Sequence, residues 1–483
     1  MKGVQKMKLE KNKLRLGYAP TRRDMFLHPM FLELKTAIDA KVRLLSEKYD
    51  VELITTEGLP FADKSFTMGS RKVNVQADEL MTDYADAKLI SEHFRAQKVD
   101  ALFVPFCNFG QEEAVARLAK DLNVPLLVWA PRDPAPVGLE ARQTDSQCGI
   151  FAATKVLARY GVTFTYIENC RLEDPPFEKG FAQFLSTASI VKAFRNARIM
   201  QVSVRPQQFL SVMVNEAELL EKFGIELVPI TGAQAVNAIH DVLENDDDEV
   251  DELVRDIEKT LDMSRLADKR VVAAIELGLM KLAVRYNCTA IACDCWHTIR
   301  NAFGIAPCFI FGDLHDRGLP CACELDIHAA IACLMATAAT GNRAASFVAD
   351  LTIRHPEDDN CELLWHCGPF AKQLKDPKAE GYIVRDGQGY YPLKKGELTV
   401  LRFDGLNGEY SCLVGKGDSV EGPVTNGNYV WFKVDDWVKW EKKFVYGPYI
   451  HHVVGVFGDH VEALRDACRY LGIRYDTPDM PLF

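Results

Sequence analysis

Long apolar runs are missing from this sequence. The longest weakly polar stretch, GLPCACELDIHAAIACLMATAATG at 318–341, is too short and too interrupted to span a bilayer. The first twenty residues, MKGVQKMKLEKNKLRLGYAP, carry positive charge but no apolar core of the kind a secretory leader requires, so none is expected. A basic excess is missing too. The 57 Lys and Arg face 68 Asp and Glu, for a net charge of −11. An acidic surface argues against tracking a phosphate backbone, so neither nucleic acid nor membrane is expected as a partner. No G-x-G-x-x-G or P-loop follows the first strand-like run, because GYAPTRRDMF has no glycine behind the strand. Dinucleotide binding and phosphoryl transfer both lose weight. There is no internal repeat and no low-complexity segment.

Cysteine is not scarce, at 14 residues, but it is unframed. Cys107, Cys148 and Cys333 sit inside apolar runs, where free thiols act as small hydrophobes. A disulfide scaffold suits short secreted chains, so a reducing, cytoplasmic home is expected. Two C-x-C pairs, Cys293/Cys295 and Cys321/Cys323, are spaced more tightly than the usual C-x₂₋₄-C of structural zinc.

With 483 residues, 48% hydrophobic and 26% charged, the chain is long enough for two or three globular domains. Strand-like runs (LRLGYAP, VELITTEG, DALFVPF, PLLVWAP) alternate with amphipathic helices and lack period-two patterning. That is the signature of strands covered on both faces, hence of parallel sheets. The pattern restarts after the Pro-rich APRDPAPVG and runs on through ARIMQVSV, IELVPIT and CTAIACDCW. After about residue 345 it changes to short strands with DG, NG and KG turns, as in hairpins. The expected architecture is α/β: two doubly wound domains of flavodoxin or Rossmann type, at 1–138 and 139–345, then a mainly antiparallel β domain at 346–483. The acidic run ENDDDEVDE reads as a solvated helix start, and Gly472 as the C-cap of the last helix.

Carboxylates inside the 318–341 stretch demand compensation, because burying them alone is costly. Glu324 is expected just beyond the end of a strand, where open α/β sheets bind ligands. ASFVAD (345–350) reads as a second strand ending in Asp350. The two acids would then face one crevice, or else each would cap a helix or pair with an arginine. Asp326 reads as an N-cap and His328 as the satisfied partner of another group. On a strand, His451 and His452 point to opposite faces, so at most one enters a given site. His366, amid Trp365, Cys367 and Phe370, reads as a core histidine. Arg22 and Arg23, just past the first strand, are either an anion or hydroxyl site or an exposed basic turn.

These segments together resemble the L-fucose isomerase and L-arabinose isomerase superfamily. LPCACELDIHAAIACLMATAATGNRAASFVAD is similar to the family's acid-bearing segment, with Asp350 placed 26 residues after Glu324. GPYIHHVVGVFGD resembles its late histidine strand, and KGELTVLRFDGLNGEYSCLVGKGDSVEG the β domain before it. The resemblance implies a metal-dependent aldose–ketose isomerase working through an enediolate. The metal, most often Mn²⁺, would be held by Glu324, Asp350 and His452, and His366 matches a further ligand of the arabinose branch. It assigns Glu324 and Asp350 the catalytic role and makes Arg22 and Phe109 substrate contacts. Trp296 is added as a pocket-closing residue without a firm family match. It also implies a homo-oligomer, a hexamer in many relatives. Two features depart from the family pattern: a shorter chain than typical fucose isomerases, and no Ser-Gln-His turn after the first strand. They place the chain in a side branch and leave pentose, deoxyhexose and acidic sugars all open.

The chemistry calls for such groups. Moving a proton between adjacent carbons creates negative charge on oxygen, which a divalent cation stabilises. Oxygen and imidazole ligands suit manganese or magnesium, and a carboxylate must reach the migrating proton. A catalytically silent sugar-binding protein, or a metal-dependent epimerase, would use the same scaffold.

Overall fold

A computed structural model describes residues 13–24, 30–68, 71–75, 78–136 and 142–482. The leader reading of the first residues and the expected break at 138/139 fall on residues outside that set. The chain forms two compact units, one from Asn12 to Ser189 and one from Ile190 onward.

The first unit contains β1 (Arg15–Tyr18), α1 (Met30–Lys48), β2 (Glu52–Thr55), the antiparallel ribbon β3 (Lys64–Met68) and β4 (Arg71–Val75), α2 (Tyr84–Ala96), β5 (Ala101–Pro105), α3 (Glu112–Leu122), β6 (Leu126–Trp129), α4 (Ser146–Arg159), β7 (Thr165–Ile167) and most of α5 (Pro175–Arg195). Its five-stranded sheet has order β2-β1-β5-β6-β7 and is parallel throughout. Alternate residues of each strand serve different cores. Leu16, Phe103, Leu127 and Trp129 pack with α1 and α5. Leu102, Val104, Leu126 and Val128 pack with α2, α3 and α4. Burial on both faces is why these strands read as unbroken apolar runs. SQCGIFAATKVLARYG and VTFTYIEN, read from sequence as the start of a second domain, supply α4 and β7 to this first sheet.

The second unit begins with β8 (Arg198–Val202), α6 (Glu216–Phe223), β9 (Glu226–Ile230), α7 (Gly232–Asn245), α8 (Asp247–Glu258), α9 (Lys269–Arg285), β10 (Ala290–Cys293), α10 (Thr298–Phe303), α11 (Cys308–Asp316), β11 (Cys321–Ala322) and α12 (Ile327–Ala339). Its four strands are parallel in the order β11-β10-β8-β9. The acidic run does open a helix, with Asp247, Asp248 and Glu249 in the first turn of α8.

The chain continues through β12 (Phe347–His355), β13 (Asp358–His366), β14 (Tyr382–Ile383), β15 (Gly389–Pro392), β16 (Gly396–Leu406), β17 (Glu409–Val420), β18 (Asn428–Lys433), α13 (Trp437–Tyr446), β19 (His452–Phe457), α14 (Val461–Leu471) and β20 (Arg474–Asp476). The nine strands form one mainly antiparallel sheet in the order β14-β15-β18-β13-β12-β19-β16-β17-β20. Gly472 caps α14 in the left-handed conformation, as its sequence position suggests.

Helix α12 explains the apolar stretch at 318–341. All its residues are buried, because it packs on β8, β10 and β11 from one sheet and on β12, β16 and β19 from the other. A helix covered all round can afford no polar face. Its N-terminus therefore brings Glu324 and Asp326 to the place where the two sheets' strands meet it.

Candidate functional site

Glu324 follows β11, at the C-terminal edge of the four-stranded sheet, and α12 starts three residues later. Both Glu324 and Leu325 adopt left-handed backbone conformations, with φ of 59° and 58°. Neither is a glycine, so each costs about 1–3 kcal/mol, the kind of strain found where a side chain must be aimed. Leu325 N–H donates to the Cys293 carbonyl, and Asp326 N–H to that of Cys323, which pins the turn.

Asp350 differs from expectation. It does not end a strand of the parallel sheet but lies inside β12, which runs on to His355. It stands directly opposite His452 on β19 and Trp365 on β13. The polar residues after Asp350 look like a strand exit in sequence. They are instead the partly exposed continuation of an antiparallel strand. Glu324 and Asp350 thus come from two different sheets.

The side chains nevertheless converge. His452 Nε2 lies 3.1 Å from Glu324 Oε2 and 3.4 Å from Asp350 Oδ1, and His366 Nε2 lies 3.9 Å from Asp350 Oδ1. His452 Nε2, His366 Nε2 and Asp350 Oδ1 are all buried without a hydrogen-bond partner. Ligand atoms of Glu324, His366 and His452 fall within 4.8 Å of one another, as do those of Asp350, His451 and His452. Among the described residues, the ion partners of both acids are histidines; no lysine or arginine pairs with either. Buried polar atoms are normally satisfied. Three orphans facing one another beside a carboxylate form a donor set that fits a divalent cation with oxygen and imidazole ligands.

The acids and imidazoles also shift one another's protonation. Burial alone would raise the Glu324 carboxyl, but His452 and His366 hold it below its usual range. Burial would lower His452, yet Asp326 and Glu324 raise it to about 9. His366 rises to about 10 through Asp350 and Cys367, again against burial.

A shell behind these groups orients them. Asp326 caps α12 by accepting from Ala329 N–H at 2.9 Å, as expected, but its other oxygen does more. That oxygen accepts from His452 Nδ1 at 2.8 Å and from Arg402 at 2.6 Å. His452 thereby turns Nε2 toward Glu324 and Asp350. Burial would raise the Asp326 carboxyl, but Arg402 and His452 hold it far below its ordinary value. Arg402 also bonds Asp404, which in turn meets His328 at 3.0 Å. His328 is therefore a partner of Asp404 through Nδ1, while its buried Nε2 has no hydrogen-bond partner among the described residues. Trp296 Nε1–H donates to Glu324 Oε1 at 3.1 Å, which places this tryptophan at the site. His451 lies just before β19 and is half-exposed, yet its Nε2 is 4.0 Å from Asp350 Oδ1 and its ring centroid 4.5 Å from that of His452, so both histidines border the site where strand geometry predicts at most one.

Sequence reading missed Arg402, Phe209 and the orienting role of Asp326. An arginine within the apolar strand TVLRFDG was the available signal for Arg402. Phe209, in the loop after β8, has its ring centroid within 5.8 Å of those of Trp296, His451 and His452, in tilted or edge-on contact; only its place after a parallel strand could have marked it.

Arg22 and Phe109 lie in the first unit. Arg22 is 1% exposed, so it is no exposed turn, and it pairs with Asp24 and with Asp78 at 2.6 Å. Phe109 carries the Arg23 guanidinium over its ring at 4.2 Å.

Comparison with known proteins sets this geometry in a family. Residues 60–195 match the N-terminal domain of fucose/sulfoquinovose isomerase, and residues 366–477 match the C-terminal domain of L-fucose isomerase. The chain belongs to the L-fucose isomerase-like family. Proteins named sulfoquinovose isomerase from Priestia aryabhattai and Priestia megaterium are each 23% identical over 415 residues, covering 84% of this chain and 91% of their own. One from Alkalicoccus urumqiensis is 22% identical over 363 residues, covering 71% of this chain and 78% of its own. The chain is an isomerase, an intramolecular oxidoreductase acting on a sugar between aldose and ketose forms. Its family membership embraces His366 and His452, both inside the second matched segment. Among the described residues, no helix is long and apolar enough to cross a membrane.

Proposed function

We propose that this family member interconverts an acidic aldose and its ketose at a divalent metal held by Glu324, Asp350, His366 and His452. The observation that carries the reading is the set of three unpartnered buried atoms, on His366, His452 and Asp350, gathered beside the Glu324 carboxylate. A bound divalent cation, manganese by the family resemblance, would supply charge stabilisation to oxygens that become negative during an enediolate pathway. The protein's part is to position and to move protons. Glu324 and Asp350 are the carboxylates placed to take the carbon-bound proton and return it one carbon away. Such a positioned acid–base pair is worth about 10²–10⁴-fold in rate. Trp296 restrains Glu324 through its indole N–H, and Asp326 keeps Nε2 of His452 directed inward.

The sulfoquinovose isomerases among the relatives favour a sulfonated or otherwise anionic sugar over a neutral pentose. Trp296, held on Glu324, is the proposed substrate contact at this centre. A cytoplasmic homo-oligomer, hexameric as in the resembled family, completes the reading.

Metal-stripped protein, given Mn²⁺ and a panel containing sulfoquinovose, L-fucose and L-arabinose, tests it by NMR. Manganese-dependent appearance of a ketose, abolished by chelator, is expected. Conversion without metal, or formation of an epimer in place of a ketose, contradicts it.

A further inference from the structure

Four thiols underlie the proposed centre, and three of them adjoin its residues in the chain: Cys323 precedes Glu324, Cys367 follows His366 and Cys295 precedes Trp296. The fourth, Cys308, opens α11. Cys323 lies within hydrogen-bonding reach of both Cys295 and Cys367. Cys367 Sγ and Cys308 Sγ are 3.1 Å apart, and all four are free thiols. Cys308 is buried, whereas Cys367 is partly open.

The backbone holds this pair together. After Cys367 the chain turns hard against the first turn of α11: a Cβ added at Gly368 would sit 2.5 Å from the Cys308 carbonyl carbon. Closing a disulfide of about 2.05 Å needs the sulfurs to approach by only about 1 Å. Cys367 also touches the ligand beside it. Its backbone N–H donates to His366 Nδ1 at 2.9 Å, and its sulfur lies 3.3 Å from the same atom. Any movement of this cysteine therefore moves the support of the His366 ring, whose other nitrogen faces Asp350.

We propose that Cys367 and Cys308 form a reversible oxidation site for hydroperoxides, whose disulfide withdraws His366 from the metal centre. Hydrogen peroxide is the two-electron oxidant. The Cys367 sulfur attacks the O–O bond, giving a sulfenic acid and one water. The Cys308 sulfur then attacks the sulfenyl sulfur, forming the S–S bond and releasing a second water. A dithiol reductant reverses the change by exchange. The disulfide stands on the sulfur geometry alone; its effect on metal binding rests on the reading given under Proposed function.

The test uses the full-length, metal-stripped protein treated with about one equivalent of hydrogen peroxide, then digested without reductant for mass spectrometry. A cross-linked peptide pair joining Cys308 to Cys367, absent after dithiothreitol, is expected. Manganese affinity should fall by at least about tenfold on oxidation, the usual effect of disturbing a ligand's support, and recover with dithiothreitol. Cys308→Ser should bind manganese like the parent and lose the peroxide response. Finding Cys367 joined to Cys323, or carried on to sulfinic acid, overturns the pairing. A Cys308–Cys367 bond with unchanged manganese affinity overturns the regulatory role. If the reduced parent protein binds no manganese, the metal reading fails while the mass result still judges the disulfide.

Discussion

Asp326 decides which nitrogen His452 presents. Its 2.8 Å bond to Nδ1 fixes the tautomer with Nε2 inward, the usual arrangement behind a metal-bound imidazole. Asp326→Asn is expected to weaken manganese binding by about 10–100-fold while leaving the ligand set complete, as a calorimetric titration would read. The same carboxylate compensates Arg402, which is fully buried. Removing one partner of such a pair costs about 3–5 kcal/mol, with Asp404 left to offset part of that loss. The sign of its pH dependence follows from the depressed folded-state value. Stability contributed by Asp326 is present above its unfolded value of about 3.9 and is lost as pH falls below it. Urea unfolding at pH 7 and pH 3 should therefore show a smaller acid loss in Asp326→Asn than in the parent. A parent whose stability does not change between those pH values would contradict this assignment.

At the scale of elements, the site depends on the register between β12 and β19. Asp350 faces His452 across the ladder, and three residue steps along the same pair Phe347 faces Gly455. A Cβ at Gly455 would lie 2.2 Å from the Phe347 ring. Gly455→Ala is expected to cost about 1–3 kcal/mol, as overpacking does, and to weaken manganese binding because the strands carry two proposed ligands. Unchanged unfolding and unchanged affinity in that variant would show that the close packing does not hold the register. This pairing was not legible in the sequence. Both strands are apolar runs, and nothing in ASFVAD tells a parallel strand that stops at Asp350 from an antiparallel one that continues past it. By contrast, the exit of β11 into α12 was legible, because Glu324 and Asp326 break an otherwise apolar stretch and Asp326 is a cap residue. The expectation that only one of His451 and His452 would reach the site assumed a strand running through both, whereas β19 begins at His452.

Across the whole molecule, parallel sheets followed by an antiparallel one could be read from the shift between unbroken apolar runs and turn-punctuated strands. The extent of the first unit could not. α4 and β7 repeat the same αβ pattern as their neighbours, and only three-dimensional pairing of Tyr166 with Val128 assigns them to the first sheet. The long-range ion chain Asp326–Arg402–Asp404–His328 was equally hidden, since its members lie up to 78 residues apart. A ligand that binds only the folded chain stabilises it, by about 2.7 kcal/mol at a hundred times its dissociation constant. Manganese should therefore raise the thermal midpoint of the parent and leave that of Glu324→Gln unmoved. Equal shifts in both would place the ion elsewhere. The most direct test is titration of Mn²⁺ into the metal-stripped parent and into Glu324→Gln, followed by calorimetry. A single ion per chain is expected for the parent and none for the variant; undiminished binding by Glu324→Gln would contradict the proposed centre.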